Sequence, residues 1–302
     1  MRILSTPGWE DYELLDSGDG KRFERFGKYR LVRPDPQIIW KPRLSISEWQ
    51  KADAEFDAGK KEWVVRTHIP DKWLLKYKDI SFYAKLSPFK HTGIFPEQTL
   101  QWEWISSVMV FSSLKRQNQQ RNNNSSSNSD TNLRVLNLFG YTGIASLVSA
   151  VGGASVTHVD ASRPTIGWAR ENQDASGLNS KPIRWILDDA VKFVQREVKR
   201  GVKYDGIIMD PPVYGHGPTG EKWDFNESFP TLLSLCRSIL SENPSFILIN
   251  AYAISSSALM LENVLADYVG DLKGTVEVGE LALEEKSAKR LLSTGIFARW
   301  SK

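Results

Sequence analysis

The stretch RVLNLFGYTG, residues 134–143, determines the fold class that this sequence predicts. An apolar run of strand length passes directly into a segment with two glycines, and a pattern of helical period follows. Glycines permit a tight turn there, and backbone N–H groups at the positive end of a helix can approach a nucleotide-like ligand. Any strand-to-helix turn can also use glycine for structural reasons alone, so the turn by itself leaves both interpretations open.

Downstream of this turn, short apolar runs alternate with segments of helical length, which is typical of a βαβ series. The helix after the second strand is well marked, because Ser162 can cap it, Pro164 lies in its first turn and Gly177 can end it. The pattern predicts an α/β, Rossmann-like sheet of at least five parallel strands, followed by a C-terminal antiparallel pair. The predicted strands are residues 134–139, 156–160, 183–187, 204–210, 246–250, 275–281 and 294–300.

Upstream of the turn the pattern is different, because short β-like runs are broken by Gly, Pro and Asp and no long helical period occurs. Residues 1–88 therefore predict a small β-rich N-terminal domain, and residues 89–302 predict the Rossmann-like domain. Within the latter, residues 117–132 (QNQQRNNNSSSNSDTN) have no apolar side chain, so we expect a disordered surface insertion. The β-like runs are residues 29–32, 37–40, 62–67 and 80–85.

Bulk composition excludes several classes of protein. The formal net charge is +3 at pH 7, and no run approaches the roughly 18 apolar residues of a membrane span. The first residues lack the basic start and apolar core of a secretory signal. The single cysteine, Cys236, precludes an internal disulfide, and the four histidines show no metal-ligand spacing. These features predict a soluble, cytoplasmic protein with no metal and no membrane partner, although an organellar location stays open.

Carboxylates follow the second and third predicted strands. Asp160 comes 20 residues after Gly140, at a position where an acidic side chain can accept both hydroxyls of a ribose. The third strand ends in Asp188 and Asp189, one of which can face an exocyclic amine. A single carboxylate at a strand end is often a helix cap instead, and that is the alternative for Asp188.

The fourth predicted strand ends in Asp210-Pro211-Pro212-Val213-Tyr214. Prolines fix φ and lack N–H donors, so they hold a rigid loop at the carboxyl end of the sheet, where open α/β sheets bind ligands. The alternative is that the prolines only initiate a turn. Residues 215–223, which follow, are glycine-rich and polar, as expected of a mobile loop that closes over a substrate.

The order of these motifs resembles that of class I S-adenosylmethionine-dependent methyltransferases. Residues 89–98 (FKHTGIFPEQ) are further similar to the segment before the catalytic core in the large-subunit ribosomal RNA methyltransferase family, which has cytosine-C5 and guanine-N7 members. The resemblance covers roughly residues 80–302 and implies S-adenosyl-L-methionine as cofactor. The cofactor-binding residues that it implies are Phe95, Glu97, Gln98, Phe139, Gly140, Tyr141, Thr142, Gly143, Asp160, Asp188 and Asp189.

Two departures from the family pattern bear on the reaction. Cytosine-C5 members need a cysteine nucleophile after the fifth strand, where this chain has Asn250-Ala251-Tyr252. Cys236 lies among leucines on a predicted amphipathic helix, which indicates a buried side chain. We therefore expect direct, in-line methyl transfer to a nitrogen or oxygen, without a covalent intermediate.

The second departure is Val213, which takes the place of the aromatic residue that amino-methylating enzymes carry directly after Asp-Pro-Pro. We expect Asp210 to orient the acceptor and to take its proton, and Tyr214 to stack on a planar substrate. The candidate catalytic residues are Asp210, Pro211, Pro212 and Tyr214.

RNA is the partner that the family resemblance implies, and residues 21–43 are the candidate contact. They contain eight Lys or Arg and two carboxylates, with Phe23, Phe26, Tyr29 and Trp40 interleaved. Cations could hold phosphates and rings could stack on unpaired bases. A solvated hairpin whose aromatics fill a small core explains the same residues.

Other functions fit parts of the pattern. A methyltransferase of a small molecule or protein would carry the same motifs. A nicotinamide-dependent oxidoreductase shares the glycine turn and the later acid, but this chain lacks its GxGxxG pattern. A non-catalytic RNA-binding protein could also retain this fold.

Overall fold

A computed structural model describes residues 1–122, 132–252 and 256–302. The chain forms two compact units. The sheet unit comprises Met1–Ile3, Gln101–Glu280 and Gly295–Lys302, and the N-terminal unit comprises Leu4–Leu100 and Leu281–Thr294. This division differs from the boundary predicted after residue 88, because residues 89–100 and a returning C-terminal segment belong to the N-terminal unit.

The N-terminal part of the chain is rich in β-structure, as predicted. A five-stranded sheet has the order β2-β3-β4-β5-β6, and β7 pairs with β8 in a separate hairpin. The elements are β1 (Arg2–Thr6), β2 (Tyr12–Gly18), β3 (Lys21–Phe26), β4 (Tyr29–Pro34), α1 (Ile46–Trp49), β5 (Ala54–Asp57), β6 (Glu62–Val65), β7 (Trp73–Tyr77), β8 (Ile80–Ala84) and a 3-10 turn (Pro96–Gln98).

The prediction of a strand at residues 37–40 is wrong. These residues form a turn-rich connection in which Ile39 is 90% exposed. Pro36 and Pro42 flank the segment and cannot donate to a sheet, so its apolar side chains do not continue the β4 ladder.

The rest of the chain alternates strands and helices. Its elements are α2 (Thr99–Asn122), β9 (Arg134–Leu138), α3 (Ile144–Val151), β10 (Ser155–Asp160), α4 (Arg163–Ala175), β11 (Ile183–Leu187), α5 (Ala190–Lys199), β12 (Gly206–Met209), β13 (Tyr214–His216), β14 (Lys222–Asp224), α6 (Phe225–Ser238), β15 (Phe246–Ala251), α7 (Ala258–Val269), β16 (Thr275–Glu284) and β17 (Leu291–Ser301).

One eight-stranded sheet has the order β1-β16-β17-β15-β12-β9-β10-β11. Strands β15, β12, β9, β10 and β11 pair in parallel, and β17 runs antiparallel to β15. This confirms the α/β, Rossmann-like prediction. Apolar side chains from strands and helices share one core, including Leu136, Ile207, Ile247, Phe229 and Leu261. The carboxyl ends of the parallel strands lie at one edge of the sheet, and the candidate motifs follow them.

The helix boundaries follow the expected local chemistry. The Ser162 side chain accepts from Thr165 N and caps α4, and Gly177 ends that helix with a left-handed φ of 66°. Helix α2 extends to Asn122, so the first six positions of the predicted insertion are helical, because helix propagation from a packed segment tolerates Gln, Asn and Arg. Residues 123–131 of that insertion lie outside the described residues.

None of the helices in the described residues combines the length and the apolar composition that a membrane span requires. Nor do those residues hold a group of three or more His, Cys, Asp or Glu side chains arranged to bind a metal ion.

Candidate active site

The glycine turn between β9 and α3 has an unusual backbone. Phe139 and Tyr141 have φ angles of 55° and 52°, a region that non-glycine residues rarely adopt, and Gly143 has a φ of 85°. Gly140 N donates to Val159 O at 3.1 Å, and Gly143 N donates to Gly140 O at 3.0 Å. Left-handed non-glycine residues carry strain that cannot persist without support, and they cluster at ligand sites.

A buried histidine explains why residue 140 is glycine. A Cβ at Gly140 would lie 2.3 Å from His158 Cε1, closer than real contacts allow. His158 is fully buried, and its Nδ1 lies 3.0 Å from Ser146 Oγ, which accepts from Asn137 Nδ2 at 2.9 Å. Burial lowers the pKa of His158 to about 3, so the ring is neutral at pH 7. The glycine turn therefore packs against a hydrogen-bonded group of neutral side chains, those of His158, Ser146 and Asn137.

Asp160 ties the turn to the end of β10. Its Oδ2 accepts from Tyr141 N at 2.9 Å and its Oδ1 accepts from Ser162 N at 2.8 Å. Burial raises the pKa of the Asp160 carboxyl above its usual range. Each carboxylate oxygen has a second lone pair, so Asp160 can hold the turn and still accept from a ligand hydroxyl.

The structure distinguishes the two acids after β11, both of which the sequence predicts to bind the cofactor. Asp189 caps α5, because its Oδ1 accepts from Lys192 N at 2.9 Å. Asp188 is therefore not the helix cap; it accepts from Asp189 N at 2.9 Å and pairs with Arg196. The backbone geometry at residue 189, with φ of −70° and ψ of 134°, is that of an N-cap and decides the assignment.

A cavity of about 560 Å³ opens beside these strand ends, large enough for part of a nucleotide-sized ligand. Asp188 lines it, whereas Asp189 does not. Three cations in the lining, Arg163, Lys192 and Arg196, belong to no motif, and sequence patterns did not reveal them because they come from two different helices. The lining residues are Ala161, Arg163, Leu187, Asp188, Lys192, Arg196, Pro218, Thr219 and Glu221.

The Asp-Pro-Pro loop is joined to the glycine turn through aromatic side chains. Trp223 Nε1 donates to Pro212 O at 2.7 Å, and the Trp223 ring lies 4.8 Å from that of Phe139. Asp210 N donates to Leu138 O at 3.4 Å, next to the same turn. Tyr214 is 72% exposed. The structure therefore brings the two motifs together at one edge of the sheet.

The segment after the prolines, predicted to be a mobile loop, is a hairpin of β13 and β14. Glu221 near its tip contacts Lys192 on α5 and Thr219. The hydrogen bond from Lys192 lowers the pKa of Glu221 to about 2. Glycine-rich composition indicated a loop, but it equally suits the tight connection of a short hairpin.

Three predicted cofactor residues lie in the N-terminal unit. Phe95 precedes the 3-10 turn at Pro96–Gln98, which contains Glu97 and Gln98. Glu97 is 5% exposed and its Oε2 has no hydrogen-bond partner among the described residues. Burial raises the pKa of this carboxyl. Their contact with the cofactor stays a prediction.

Cys236 is buried, as predicted. Its side chain is 1% exposed in the main core, with Sγ 3.9 Å from Met209 Sδ. Burial raises the pKa of the thiol well above its ordinary value, which disfavours the nucleophilic thiolate.

Most of the basic residues at positions 21–43 form ion pairs within the N-terminal unit. Arg33 and Arg22 are buried and pair with Glu24 at 2.7 Å and with Asp35 at 3.2 Å, respectively. Phe23, Phe26 and Tyr29 are also buried. This arrangement favours the alternative of a hairpin with a structural core. Lys21, Arg25 and Lys41 pair with carboxylates as well.

Comparison with solved structures shows the family of this chain, although no family model matches the sequence. A crystal structure of a SAM-dependent methyltransferase from Agrobacterium tumefaciens is 39% identical, with a TM-score of 0.90, and the match covers 100% of this chain and 93% of that one. The chain therefore belongs to the SAM-dependent methyltransferases.

Other relatives are more distant or longer. A solved structure from Streptococcus mutans has a TM-score of 0.71 over 97% of this chain and 75% of its own, and its 18% identity shows the fold alone. A ribosomal RNA large subunit methyltransferase K/L from a Shewanella species is 31% identical over 145 residues, 46% of this chain. Its counterpart from Shewanella baltica is 37% identical over 119 residues, 39% of this chain. The chain spans 20% and 16% of the lengths of these two relatives.

The residues at the sheet edge fit S-adenosylmethionine, the cofactor of this family. The turn at Gly140 has no room for a side chain, because the His158 ring fills the space of a Cβ. The half-buried Asp160 carboxylate suits ribose hydroxyls, and Asp188 in the cavity suits the amine of an adenine ring.

Proposed function

We propose that the protein transfers a methyl group from S-adenosylmethionine directly to a nitrogen or oxygen of an RNA, with ribosomal RNA as the candidate acceptor. The observation that carries the proposal is the contact between the Asp-Pro-Pro loop and the glycine turn through Trp223 and Phe139, beside the cavity that Asp188 lines. Ribosomal RNA is the candidate because relatives that match part of this chain in sequence are ribosomal RNA large subunit methyltransferases. With that acceptor, the protein would work in the cytoplasm.

The residues of the site have distinct roles in this proposal. Bound S-adenosylmethionine supplies a methyl group on a sulfonium, which is already a good leaving group. The protein therefore needs mainly to align the acceptor and exclude water. Asp160, Asp188 and the turn 139–143 hold the cofactor, and Asp189 contributes by capping α5 beside them. Phe95, Glu97 and Gln98 are proposed to line the same pocket.

The loop after β12 positions the acceptor and removes its proton. Asp210 orients the acceptor and takes its proton through the carboxylate, or holds the acceptor through its backbone carbonyl. Pro211 and Pro212 keep the loop rigid, and Tyr214 stacks on a planar base. Because Cys236 is buried in the core, the transfer proceeds without a covalent adduct to a cysteine.

The test is transfer of a labelled methyl group from S-adenosylmethionine to ribosomal RNA transcribed in vitro, which carries no modifications. We expect labelled RNA with the parent protein and none with Asp210→Ala, while S-adenosylhomocysteine affinity stays within a few fold. Asp174→Ala, an exposed aspartate on α4, is the matched control and should retain activity. Cofactor binding without any labelled RNA would refute RNA as the acceptor, and a fully active Asp210→Ala would remove the role of Asp210.

A further inference from the structure

The hairpin after the Asp-Pro-Pro loop has two chemically different faces. In its register, Gly215 lies opposite Trp223 and His216 lies opposite Lys222. Directly opposed residues of an antiparallel pair point to the same side, and successive residues alternate. Trp223 is 5% exposed and packs against Phe139, so the face that it shares with Gly215 is turned inward. The other face carries Tyr214, His216 and Lys222.

All three side chains on the outward face are exposed. Across the described parts of the chain, none of the three makes a hydrogen bond, an ion pair or a ring contact through its side chain. The one carboxylate opposite Tyr214 belongs to Asp224, which accepts from Asn226 N at 2.9 Å and Glu227 N at 3.2 Å and so caps α6. Lys222 therefore has no ion-pair partner on the hairpin, since Glu221, beside it in the sequence, pairs with Lys192 instead.

This face contrasts with residues 21–43, where five of the eight cations pair with carboxylates. Paired cations contribute less to binding a polyanion, because the existing partner must first be displaced. The hairpin instead offers an accessible ring, an imidazole and a free ammonium side by side. Aromatic stacking plus cationic contact is the combination that binds single-stranded nucleic acid.

We propose that the outward face of this hairpin binds an unpaired nucleotide strand of the acceptor RNA, with Tyr214 stacking on a base and His216 and Lys222 contacting the backbone phosphates. The inference rests on the proposed function and adds to it the strand state of the substrate and two phosphate contacts. The hairpin follows Asp210-Pro211-Pro212 directly, so Tyr214 is only four residues from Asp210, which is proposed to take the proton of the acceptor. A base within a duplex has no free face for Tyr214.

The test measures fluorescence anisotropy of a fluorescein-labelled, mixed-sequence 12-nucleotide RNA with the full chain, as a single strand and as a duplex. We expect tighter binding of the single strand. Tyr214→Ala should weaken it at least about 5-fold, and Tyr214→Phe should retain near-parent affinity because the ring is kept. The double variant His216→Gln/Lys222→Gln should weaken binding and reduce the salt dependence. Lys199→Gln, a surface lysine on α5, is the matched control and should bind as the parent does.

Each variant is also titrated with S-adenosylhomocysteine, and unchanged affinity shows that its fold is intact. Hairpin variants that bind and methylate RNA like the parent would overturn the inference and the stacking role of Tyr214, and would leave methyl transfer to RNA standing. Tighter binding of the duplex would also overturn it. So would a loss of binding in Lys28→Gln/Arg43→Gln with none in the hairpin variants, because residues 21–43 would then be the contact. Hairpin-dependent RNA binding by a parent protein that methylates no RNA would refute the proposed function alone.

Discussion

At the scale of single residues, Gly140 and His158 form a pair in which each restricts the other. The His158 ring occupies the space of a Cβ at residue 140. We expect Gly140→Ala to weaken S-adenosylhomocysteine binding by more than 10-fold, since the turn must shift. The double variant Gly140→Ala/His158→Ala should recover part of the affinity because the ring is gone. Calorimetric titration of the four proteins of this cycle measures the coupling, and simple additivity of the two changes would contradict the pairing.

The same histidine should make the protein sensitive to acid. Its native pKa of about 3 lies below the ordinary value of about 6.5, so the unfolded state binds a proton that the native state does not. Stability is therefore fully present above about pH 6.5 and falls as the pH drops toward 3, by at most about 1.4 kcal/mol per pH unit for one proton. Urea unfolding of the parent and His158→Gln at pH 7, 6 and 5 tests this. An unchanged slope in the variant would contradict it.

Sequence spacing predicted some of these residues and not others. The strand-end position of Asp160 followed from its distance to Gly140, because a βαβ unit has a characteristic length. The sequence did not show that Asp189, and not Asp188, caps α5, since only the backbone angles reveal which of two adjacent acids is the N-cap. The place of Arg163 in the cavity could not be predicted, because nothing in a single sequence shows that residues of α4 and α5 line the same cavity.

At the scale of elements, the two acids before α5 should separate stability from binding. Asp189→Ala removes the cap of α5 and should lower the free energy of unfolding by about 1 kcal/mol. Asp188→Ala should lower it less, because its partner Arg196 is a surface side chain, but should weaken S-adenosylhomocysteine binding. Urea unfolding and calorimetry on both variants decide the matter, and a larger loss of stability in Asp188→Ala would contradict the assignment.

Elements with a regular period were predictable, and irregular ones were not. The five parallel strands match because buried strands are continuous apolar runs, whereas β13 and β14 have three residues each and carry too little pattern to detect. The strand predicted at residues 37–40 is wrong because an apolar pattern is present there without a strand. It is apolar enough for a strand, but the neighbouring prolines leave it no ladder to join.

At the scale of the whole molecule, the N-terminal unit is built around buried charge. Glu24 is fully buried, accepts from Tyr12 Oη at 2.9 Å and pairs with Arg33 at 2.7 Å. Arg33 and Arg22 hold the pKa of Glu24 below its usual range despite the burial. We expect Glu24→Gln to cost roughly 3–5 kcal/mol, because it leaves the buried guanidinium of Arg33 without its counter-charge.

Urea unfolding measures this cost, and peptide-resolved hydrogen exchange should show that protection is lost in β2, β3 and β4. Glu10→Gln, an exposed carboxylate in the same unit, is the control and should be neutral. A Glu24→Gln protein as stable as the parent would contradict the account. The extent of this unit was not predictable from composition, because it includes the distant segment Leu281–Thr294.

The central claim is that the edge of the sheet at Gly140 and Asp160 binds S-adenosylmethionine. Calorimetric titration with S-adenosylhomocysteine, with NADH as a parallel ligand, tests it most directly. We predict binding of S-adenosylhomocysteine that weakens about 10- to 100-fold in Asp160→Ala, which loses charge-assisted hydrogen bonds to the ribose and to the turn. Binding of NADH alone, or S-adenosylhomocysteine binding that Asp160→Ala leaves unchanged, would contradict the account.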